Sequence, residues 1–195
     1  DVTNVVSEVP DKLKWARMLV FIEEWDSLRP KVEAAAKEGT PKPLSSVKLM
    51  APVPSPRKVY AAPANYKDHQ EEMANATFIP HDTASLASAE EYGMFLKASS
   101  AVTGPEDMVM RPYKDRLIHH ESELVMVIGK HGSAIPLGEA MNYVFGYTCG
   151  LDITVRGGED RSKRKSFDTF APTGPYIVTA DEIEDPGKLE INLWV

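Results

Sequence analysis

The stretch LIHHESELVMVIGK, Leu117 to Lys130, decides the fold because it joins a buried strand to two acidic side chains. Leu124 to Ile128 is continuously apolar, which is typical of a strand covered on both faces. Side chains two apart on a strand share a face, so His119, Glu121 and Glu123 are predicted to point the same way. Uncompensated charge is costly in such an interior. We therefore expect a positive group to meet the two glutamates.

Asp152 supplies a third acid, because it follows the apolar stretch that begins GYTCGL at Gly146. Three carboxylates without a cysteine or a paired imidazole are typical ligands of a hard divalent cation such as Mg²⁺. Two ordinary alternatives stay open. An isolated Glu-x-Glu pair is most often a pair of surface acids in salt bridges, and Asp152 alone is equally a turn or capping residue. The apolar run after Glu123 favours the metal site.

The composition is that of a globular protein with a real core. The chain has 195 residues, of which 43% are hydrophobic, so it can form one domain or somewhat more. No run approaches the roughly 20 apolar residues that span a bilayer, and the N-terminus lacks the layout of a secretory signal. We expect a cytoplasmic protein without a membrane partner.

The charge pattern disfavours nucleic acid and anionic lipid as partners. The formal net charge is −7, and the basic run RSKRK, Arg161 to Lys165, is typical of a solvated loop. Cys149 is the single cysteine, which excludes an internal disulfide and a cysteine-rich zinc site. We expect Cys149 to be a small buried apolar residue.

The first part of the chain is predicted to be helical and separate from the rest. Pro10 to Gly39 carries an apolar helical face, with Pro30 ending one helix or kinking the next and Gly39 stopping the last one. A proline-rich connection follows from Pro41 to Lys58. We predict a small N-terminal helical appendage and linker at residues 1–56 and a core at residues 57–195.

The core is predicted to be mainly β. The alternation of strand and helix that parallel α/β folds require is missing, as are the glycine-rich dinucleotide and phosphate loops. Asn75 to Glu91 is small and polar, which is typical of a mobile segment over a functional site. The predicted helices are Asn65 to Ala74 and Pro136 to Tyr143. The predicted strands are Phe95 to Leu96, Met108 to Met110, Leu117 to Ile128, Val144 to Cys149, Tyr176 to Val178 and Leu189 to Val195.

Five collinear motifs resemble the fumarylacetoacetate hydrolase family. They are NYKDH at Asn65 to His69, FLK at Phe95 to Lys97, HHESELVMVIGK at His119 to Lys130, GYTCGLDITVR at Gly146 to Arg156 and KSFDTFAPTGP at Lys165 to Pro175. The resemblance runs from about Arg57 to the C-terminus and implies an α+β fold with a mixed β-sandwich or β-roll core. Family members continue past the alternating LEINLWV at Leu189 with a Thr-Gly-Thr-Pro-Gly-type loop, so we expect this chain to be truncated at its C-terminus.

The resemblance also implies roles for individual residues. Glu121, Glu123 and Asp152 would ligate Mg²⁺, with Mn²⁺ or Ca²⁺ as alternatives. His69 and Glu72, three apart on the predicted helix, would form a dyad that activates water, with the acid orienting the imidazole. Without the resemblance, His69 and Glu72 are better interpreted as an ordinary surface pair.

Three cations complete the implied site: Lys165 as a catalytic residue, and Arg156 and Lys97 as substrate-binding residues. Three carboxylates and one Mg²⁺ leave a negative charge, which would repel an anionic substrate unless such cations close the pocket. Without the resemblance, Arg156 is interpreted as an ion-pair partner of Asp152, Lys97 as a solvent-facing lysine at a strand end, and Lys165 as part of the basic run. Glu159 stands where several family members have glutamine, which makes it a substrate-binding candidate and suggests an altered substrate preference.

The implied chemistry is metal-dependent cleavage of a carbon–carbon bond. The first prediction is hydrolysis of an acylpyruvate-like or fumarylpyruvate-like 1,3-diketo acid in the catabolism of aromatic or related compounds, through an enolate that a Lewis acid stabilises. The alternative within the family is a 2-oxo-acid decarboxylase, a hydratase or an isomerase, such as one acting on 2-hydroxyhepta-2,4-diene-1,7-dioate. The resemblance further implies a homodimer. From other classes, a metal-stabilised β module without catalysis and a nucleic-acid binder using RSKRK stay open.

Overall fold

The computed structural model describes residues 16–68, 70–71, 89 and 93–195. Short strands dominate the core of this part of the chain, which confirms the mainly β, α+β prediction. The helices are α1 Arg17–Glu23, α2 Trp25–Glu38 and α3 Arg161–Lys165. The strands are β1 Val59–Ala61, β2 Phe95–Lys97, β3 Val102–Thr103, β4 Ile118–His119, β5 Ser122–Ile128, β6 Val144–Leu151, β7 Thr154–Val155 and β8 Ala171–Thr179.

A four-stranded sheet with the strand order β3-β8-β6-β5 forms the middle of the fold. β5 and β6 are antiparallel, and their register places Glu123 opposite Gly150. Because Asp152 directly follows β6, this register brings the acidic end of β5 next to Asp152. The Asp152 amide donates a hydrogen bond of 2.9 Å to the Glu121 carbonyl, which continues the pairing beyond both strands.

The apolar core lies beside this end of the sheet. Ile153, Val155 and Phe170 are fully buried and cluster with Ala101 and Ala171. β4 and β7 form a two-stranded antiparallel sheet that carries Val155 into the cluster. Since Ile153 and Val155 flank Thr154, the side chains that follow Asp152 are anchored in the most buried part of the described protein.

The N-terminal helices pack against the end of β6. Trp25 of α2 meets Phe145 edge to face, with ring centroids 5.5 Å apart, and Arg29 pairs with Asp181 at 2.7 Å. The prediction that Pro30 ends a helix is wrong, because the break lies at Glu24 and Pro30 lies inside α2. A kink of α2 at Pro30 stays a prediction. Pro30 is the sixth residue of α2, so it removes the hydrogen bond that an amide there would donate to the Asp26 carbonyl, and the helix continues through it. The division at residues 56–57 stays a prediction.

Several predicted strands differ in the structure. Leu117 to Ile128 is not one strand, because it is interrupted between β4 and β5 at His120 and Glu121. Met108 to Met110 and Leu189 to Val195 form no strand, because neither segment pairs with a strand edge among the described residues. The predicted helix from Pro136 is a 3₁₀ helix at Leu137–Tyr143.

Two predictions about burial are also wrong. Cys149 is exposed, as is Met126 on the same face of the β5–β6 pair, although Tyr147 on that face is buried. RSKRK is the helix α3 rather than a solvated loop, and Arg164 is buried in it instead of solvated. Lys165, which the family resemblance placed at the site, is buried as well. None of the helices in the described ranges is long and apolar enough to cross a membrane. The predicted mobile segment from Asn75 lies outside these ranges, apart from residue 89.

Candidate functional site

Glu121, Glu123 and Asp152 lie together at the end of the β5–β6 pair. One carboxylate oxygen from each lies within 4.8 Å of the others. We call these three residues the carboxylate cluster. The backbone bond between Asp152 and Glu121 fixes the distance between the two chain segments, so the cluster is a product of strand pairing rather than of one strand face.

Glu121 has an unusual backbone conformation for its residue type. Its φ is +39°, a left-handed value that costs a residue with a side chain about 1–2 kcal/mol. This conformation separates β4 from β5 and ends the alternation that the sequence suggested. Strain of this kind persists where surrounding contacts hold the residue in place. Here the contacts are ion pairs to the Glu121 carboxylate.

Lys165 is the cation that joins the cluster most directly. Its Nζ lies 2.5 Å from Glu121 Oε2 and 2.6 Å from Asp152 Oδ2, and it also donates to Thr154 Oγ1 at 2.6 Å. The helix α3 places it there, and Asp160 caps that helix by accepting the Ser162 amide at 2.8 Å. Lys165 is therefore part of the buried cluster rather than of a solvated basic run.

Lys97 approaches Asp152 from the other side. It lies at the end of β2, is buried, and donates to Asp152 Oδ1 and, at 3.1 Å, to the Phe170 carbonyl. Burial lowers the pKa of Lys97, against the opposing attraction of Asp152. A lysine that would face solvent at the end of an isolated strand is thus held inside by the fold.

Arg156 follows β7 and pairs with Glu121 rather than with Asp152. Its Nη2 lies 2.8 Å from Glu121 Oε1, and its Nε donates to His119 Nδ1 at 2.9 Å. Because Nδ1 accepts this bond, the geometry assigns His119 a neutral ring with its proton on Nε2. Burial alone would raise the pKa of Glu121, but Lys165 and Arg156 outweigh it and hold that pKa below its ordinary value.

Glu123 differs from its two neighbours because the described cations bond to the other acids. Burial, with the charge of Asp152, raises the pKa of Glu123 to about 7. A hydrogen bond from the Tyr66 hydroxyl partly offsets this rise, and the same hydroxyl accepts the Leu124 amide at 3.2 Å. Sequence reasoning missed Tyr66, although it lies inside the NYKDH motif.

Glu159 makes a contact that the sequence did not suggest. Its two carboxylate oxygens accept hydrogen bonds from Arg116 at 2.7 and 2.8 Å, and Arg116 holds the pKa of Glu159 down to about 2. The predicted substrate-binding role of Glu159 stays a prediction. Arg116 was not singled out by any motif, and its position before β4 carries no signal that would have identified it.

The predicted dyad of His69 and Glu72 lies outside the described residues. The chain leading to it is described: residues 67–68 and 70–71 are helical, and the Gln70 amide donates to the Tyr66 carbonyl at 3.0 Å. The dyad therefore stays a prediction, whereas the helix start before it follows the expected position.

The carboxylate cluster has the donor chemistry of a site for a hard divalent cation. Its oxygens come from three acids, and a carboxylate oxygen can accept two partners, so the bonds from Lys97, Lys165 and Arg156 leave lone pairs on each acid. The raised pKa of Glu123 indicates that the described arrangement lacks positive charge at that carboxylate. We conclude that the residues fit Mg²⁺ or Mn²⁺.

Comparisons with known protein sequences agree with the motif pattern. A family model described as fumarylacetoacetate (FAA) hydrolase C-terminal matches residues 58–195. A maleylpyruvate hydrolase of Aquipseudomonas alcaligenes is 38% identical over 197 residues, which covers 100% of this chain and 69% of that protein. The mitochondrial oxaloacetate tautomerase FAHD2A of Bos taurus is 34% identical over 181 residues, which covers 89% of this chain and 54% of that protein.

Solved structures show the same relationship. The crystal structure of maleylpyruvate hydrolase from Sphingobium sp. SYK-6 in complex with manganese (II) ion and pyruvate is similar with a TM-score of 0.77 and 37% identity, over 95% of this chain and 62% of that one. A putative HpcE protein from Mycobacterium smegmatis has a TM-score of 0.67 at 30% identity, again over 95% of this chain and 62% of the other. The chain thus spans between 54% and 69% of the lengths of these four proteins.

Proposed function

This chain belongs to the fumarylacetoacetate hydrolase family, and we propose that it is part of a metal-dependent enzyme that hydrolyses a carbon–carbon bond in a dianionic 2-oxo acid of the acylpyruvate type. The observation that carries the proposal is the carboxylate cluster, in which Asp152 is buried and the two glutamates are partly buried. An equal number of described cations matches it: Lys97 and Lys165, which are buried, and Arg156, which is partly buried. A relative of similar fold that contains manganese and pyruvate supports the choice of ligand chemistry.

The formal charges of the site favour a substrate with two negative charges. The three acids of the cluster lie among three described cations, Lys97, Lys165 and Arg156, so the charges cancel when all six groups are ionised. A divalent cation would add two positive charges. A dianionic substrate would restore neutrality, and isolated charge is costly where side chains are as buried as these.

The carboxylate cluster would hold the metal, with Mg²⁺ as the first choice and Mn²⁺ or Ca²⁺ as alternatives. When bound, such an ion supplies Lewis-acid polarisation of the substrate's 2-oxo group. Lys165 and Lys97 each pair with one oxygen of Asp152 and so fix the orientation of its carboxylate. Arg156 is aimed by Glu121 and His119 and would bind the substrate carboxylate with the remaining donors of its guanidinium group.

The proposed reaction is balanced as a hydrolysis. Water adds its hydroxyl to the acyl carbon, and the bond from that carbon to C3 of the pyruvate unit breaks. The electron pair stays on C3 as an enolate, which takes up a proton and becomes pyruvate, while the acyl carbon leaves as a carboxylic acid. His69, oriented by Glu72, would accept the proton of the attacking water.

A second candidate keeps the site and changes the outcome. The oxaloacetate tautomerases among the relatives favour isomerisation of a 2-oxo dicarboxylate, in which a proton moves between carbon and oxygen and no carbon–carbon bond breaks. Both candidates need the same dianionic ligand. They differ in whether water reacts, and therefore in whether pyruvate accumulates. The homodimer stays a prediction in either case.

The deciding experiment measures products from maleylpyruvate, fumarylpyruvate and enol-oxaloacetate with Mg²⁺, with Mn²⁺ and with EDTA. Release of pyruvate that requires the metal, and that Asp152→Asn abolishes, is the expected result. The matched control is Arg29→Met, which removes an arginine with two carboxylate partners at the surface. Metal-dependent ketonisation of enol-oxaloacetate without pyruvate release would replace hydrolysis by tautomerisation. No turnover of any substrate with either metal would overturn both candidates.

A further inference from the structure

We propose that Arg116 is a positioning residue that clamps the loop after β7 and thereby fixes Arg156 over Glu121. The importance of this arrangement for ligand binding rests on the proposed function. The arrangement itself is a property of the described residues. Arg116 touches no member of the carboxylate cluster in the described contacts, so its effect would pass through Arg156.

Arg116 holds the loop at three points. Nη1 and Nη2 donate to the two oxygens of Glu159 at 2.7 and 2.8 Å, and Nη2 also donates to the backbone carbonyl of Arg156 at 2.7 Å. The planar guanidinium group lies 5.1 Å from the ring centre of Tyr113. The Arg116 guanidinium group is bonded to both oxygens of Glu159 and lies over the Tyr113 ring, so it has little rotational freedom. The Arg156 carbonyl therefore has a fixed partner.

The Arg156 side chain leaves the clamped backbone toward the carboxylate cluster. Its carbonyl bonds to Arg116, while its guanidinium group bonds to Glu121 Oε1 at 2.8 Å and to His119 Nδ1 at 2.9 Å. Its amide donates to the Leu117 carbonyl at 2.9 Å, directly after Arg116 in the chain. The residue is thus fixed at its amide, its carbonyl and its side chain.

Gly157 provides the space for the ion pair between Arg116 and Glu159, which we call the clamp. A Cβ atom at this position would come within 2.0 Å of Arg116 Nη2 and 2.3 Å of Glu159 Oε2. Both are ends of side chains, so the methyl group of an alanine would displace the ion pair rather than the backbone. A glycine between Arg156 and Glu159 is therefore a requirement of the clamp, and it offers a way to disturb the clamp without changing either charge.

The clamped loop also continues into the helix that carries Lys165. The Glu159 carbonyl accepts Arg164 Nε at 2.7 Å, and the Arg164 amide donates to the Asp160 carbonyl at 3.1 Å. Glu159 consequently holds Arg116 with its side chain and Arg164 with its backbone. For a substrate to take the Glu159 carboxylate, it would have to displace Arg116, so we assign Glu159 to the clamp.

The experiment compares Arg116→Met, Gly157→Ala and the surface control Arg29→Met by two readouts. The first is solvent exchange of the Arg156 Nε–H proton, followed by NMR in arginine labelled with ¹⁵N and assigned by its loss in Arg156→Met. The second is calorimetric affinity for oxalate, a dianion that mimics an enolised 2-oxo acid, with Mn²⁺ present. Proton exchange needs neither metal nor substrate, so it tests the clamp separately from the proposed function.

We expect exchange of the Arg156 Nε–H to be about tenfold or more faster in Arg116→Met and in Gly157→Ala, because the Arg116 guanidinium group no longer opposes local opening of the loop. We expect oxalate affinity to fall about tenfold, and Arg116→Met to cause no further loss in an Arg156→Met background. If exchange is faster in both variants but the unmodified chain binds no oxalate, the clamp is retained and the proposed function is rejected. Unchanged exchange in Gly157→Ala or in folded Arg116→Met, or additive losses of affinity, would overturn the role of Arg116.

Discussion

Lys165 Nζ lies 2.6 Å from Asp152 Oδ2, and each of the two side chains is only 8% exposed. The lysine comes from α3 and the aspartate from the end of β6, so a buried ion pair joins a helix to the central sheet. Removing the lysine leaves Asp152 with Lys97 and Glu121 with Arg156, so each acid loses one of its two cations in a poorly solvated site.

Replacing Lys165 by Met is therefore expected to lower the free energy of unfolding by about 3 kcal/mol in EDTA, because Glu121 and Asp152 both lose their shared cation. Urea denaturation measures the change. Arg29→Met is the matched control, and it is expected to cost much less than Lys165→Met because exposed ion pairs contribute little. Equal losses in the two variants would contradict the buried pair.

Glu123 is expected to make the metal-free protein less stable as the pH rises. Its pKa is raised from 4.5 to about 7 in the folded protein, so the folded state holds a proton that the unfolded state releases above about pH 4.5. This contribution is present in full below that pH and is lost as the pH rises through about 7, for a total of about 3 kcal/mol. Unfolding free energies in EDTA between pH 4 and pH 8.5 provide the measurement.

The matched variant for this pH dependence is Glu123→Gln. It keeps the size of the side chain and the acceptor for Tyr66 but removes the titrating group, so its stability is expected to change less between pH 4.5 and pH 7. The same slope in both proteins would show that another group titrates over this range.

Tyr66→Phe is expected to weaken binding of Mn²⁺ at neutral pH about threefold to tenfold. Without the hydroxyl, Glu123 loses the hydrogen bond that favours its ionised form, so more of it is protonated when the metal arrives. Titration with Mn²⁺ at pH 6.5 and at pH 8.5 measures the effect. The loss should be smaller at the higher pH, and an equal loss at both values would point to a change in packing instead.

Gly146 is expected to tolerate no side chain. A Cβ atom there would lie 2.2 Å from the Val178 carbonyl oxygen, which belongs to the backbone of the neighbouring strand β8. Gly146→Ala should lower the free energy of unfolding by about 3 kcal/mol, because the pairing of β6 with β8 must shift. Gly138→Ala is the control, since a Cβ at Gly138 meets nothing within 4 Å. Thermal denaturation measures the loss of stability in both variants.

Local sequence patterns predicted the helices and strands whose own residues are typical of that structure. β5 contains the continuously apolar run Leu124 to Ile128, and α2 ends at Glu38 with Gly39 after it, as a glycine stop indicates. The patterns failed where pairing decides the outcome. LEINLWV alternates like a strand but finds no paired neighbour in the described residues, and α2 continues through Pro30 although a proline there removes one of its backbone hydrogen bonds.

The candidate site was predictable to a different degree for each residue. The three acids follow from their motifs, since Glu121 and Glu123 precede an apolar run and Asp152 ends one. The Tyr66 hydroxyl was missed because a tyrosine in a polar motif has many uses, and Arg116 was missed because it stands far from Glu159 in sequence. Long-range contacts of this kind leave no periodic trace in the chain.

The sequence by itself determined the family and the mainly β class, and it singled out the three acids and three cations that the structure brings together, because strand periodicity and motif order can be read along the chain. The tertiary structure alone decided which charges meet. Lys97 and Lys165 are assigned to Asp152, Arg156 to Glu121, and Arg116 to Glu159, although the sequence equally allowed Arg156 to pair with Asp152. The physical reason is that an ion pair depends on distances that strand register and burial set, and these arise only when distant segments pack together.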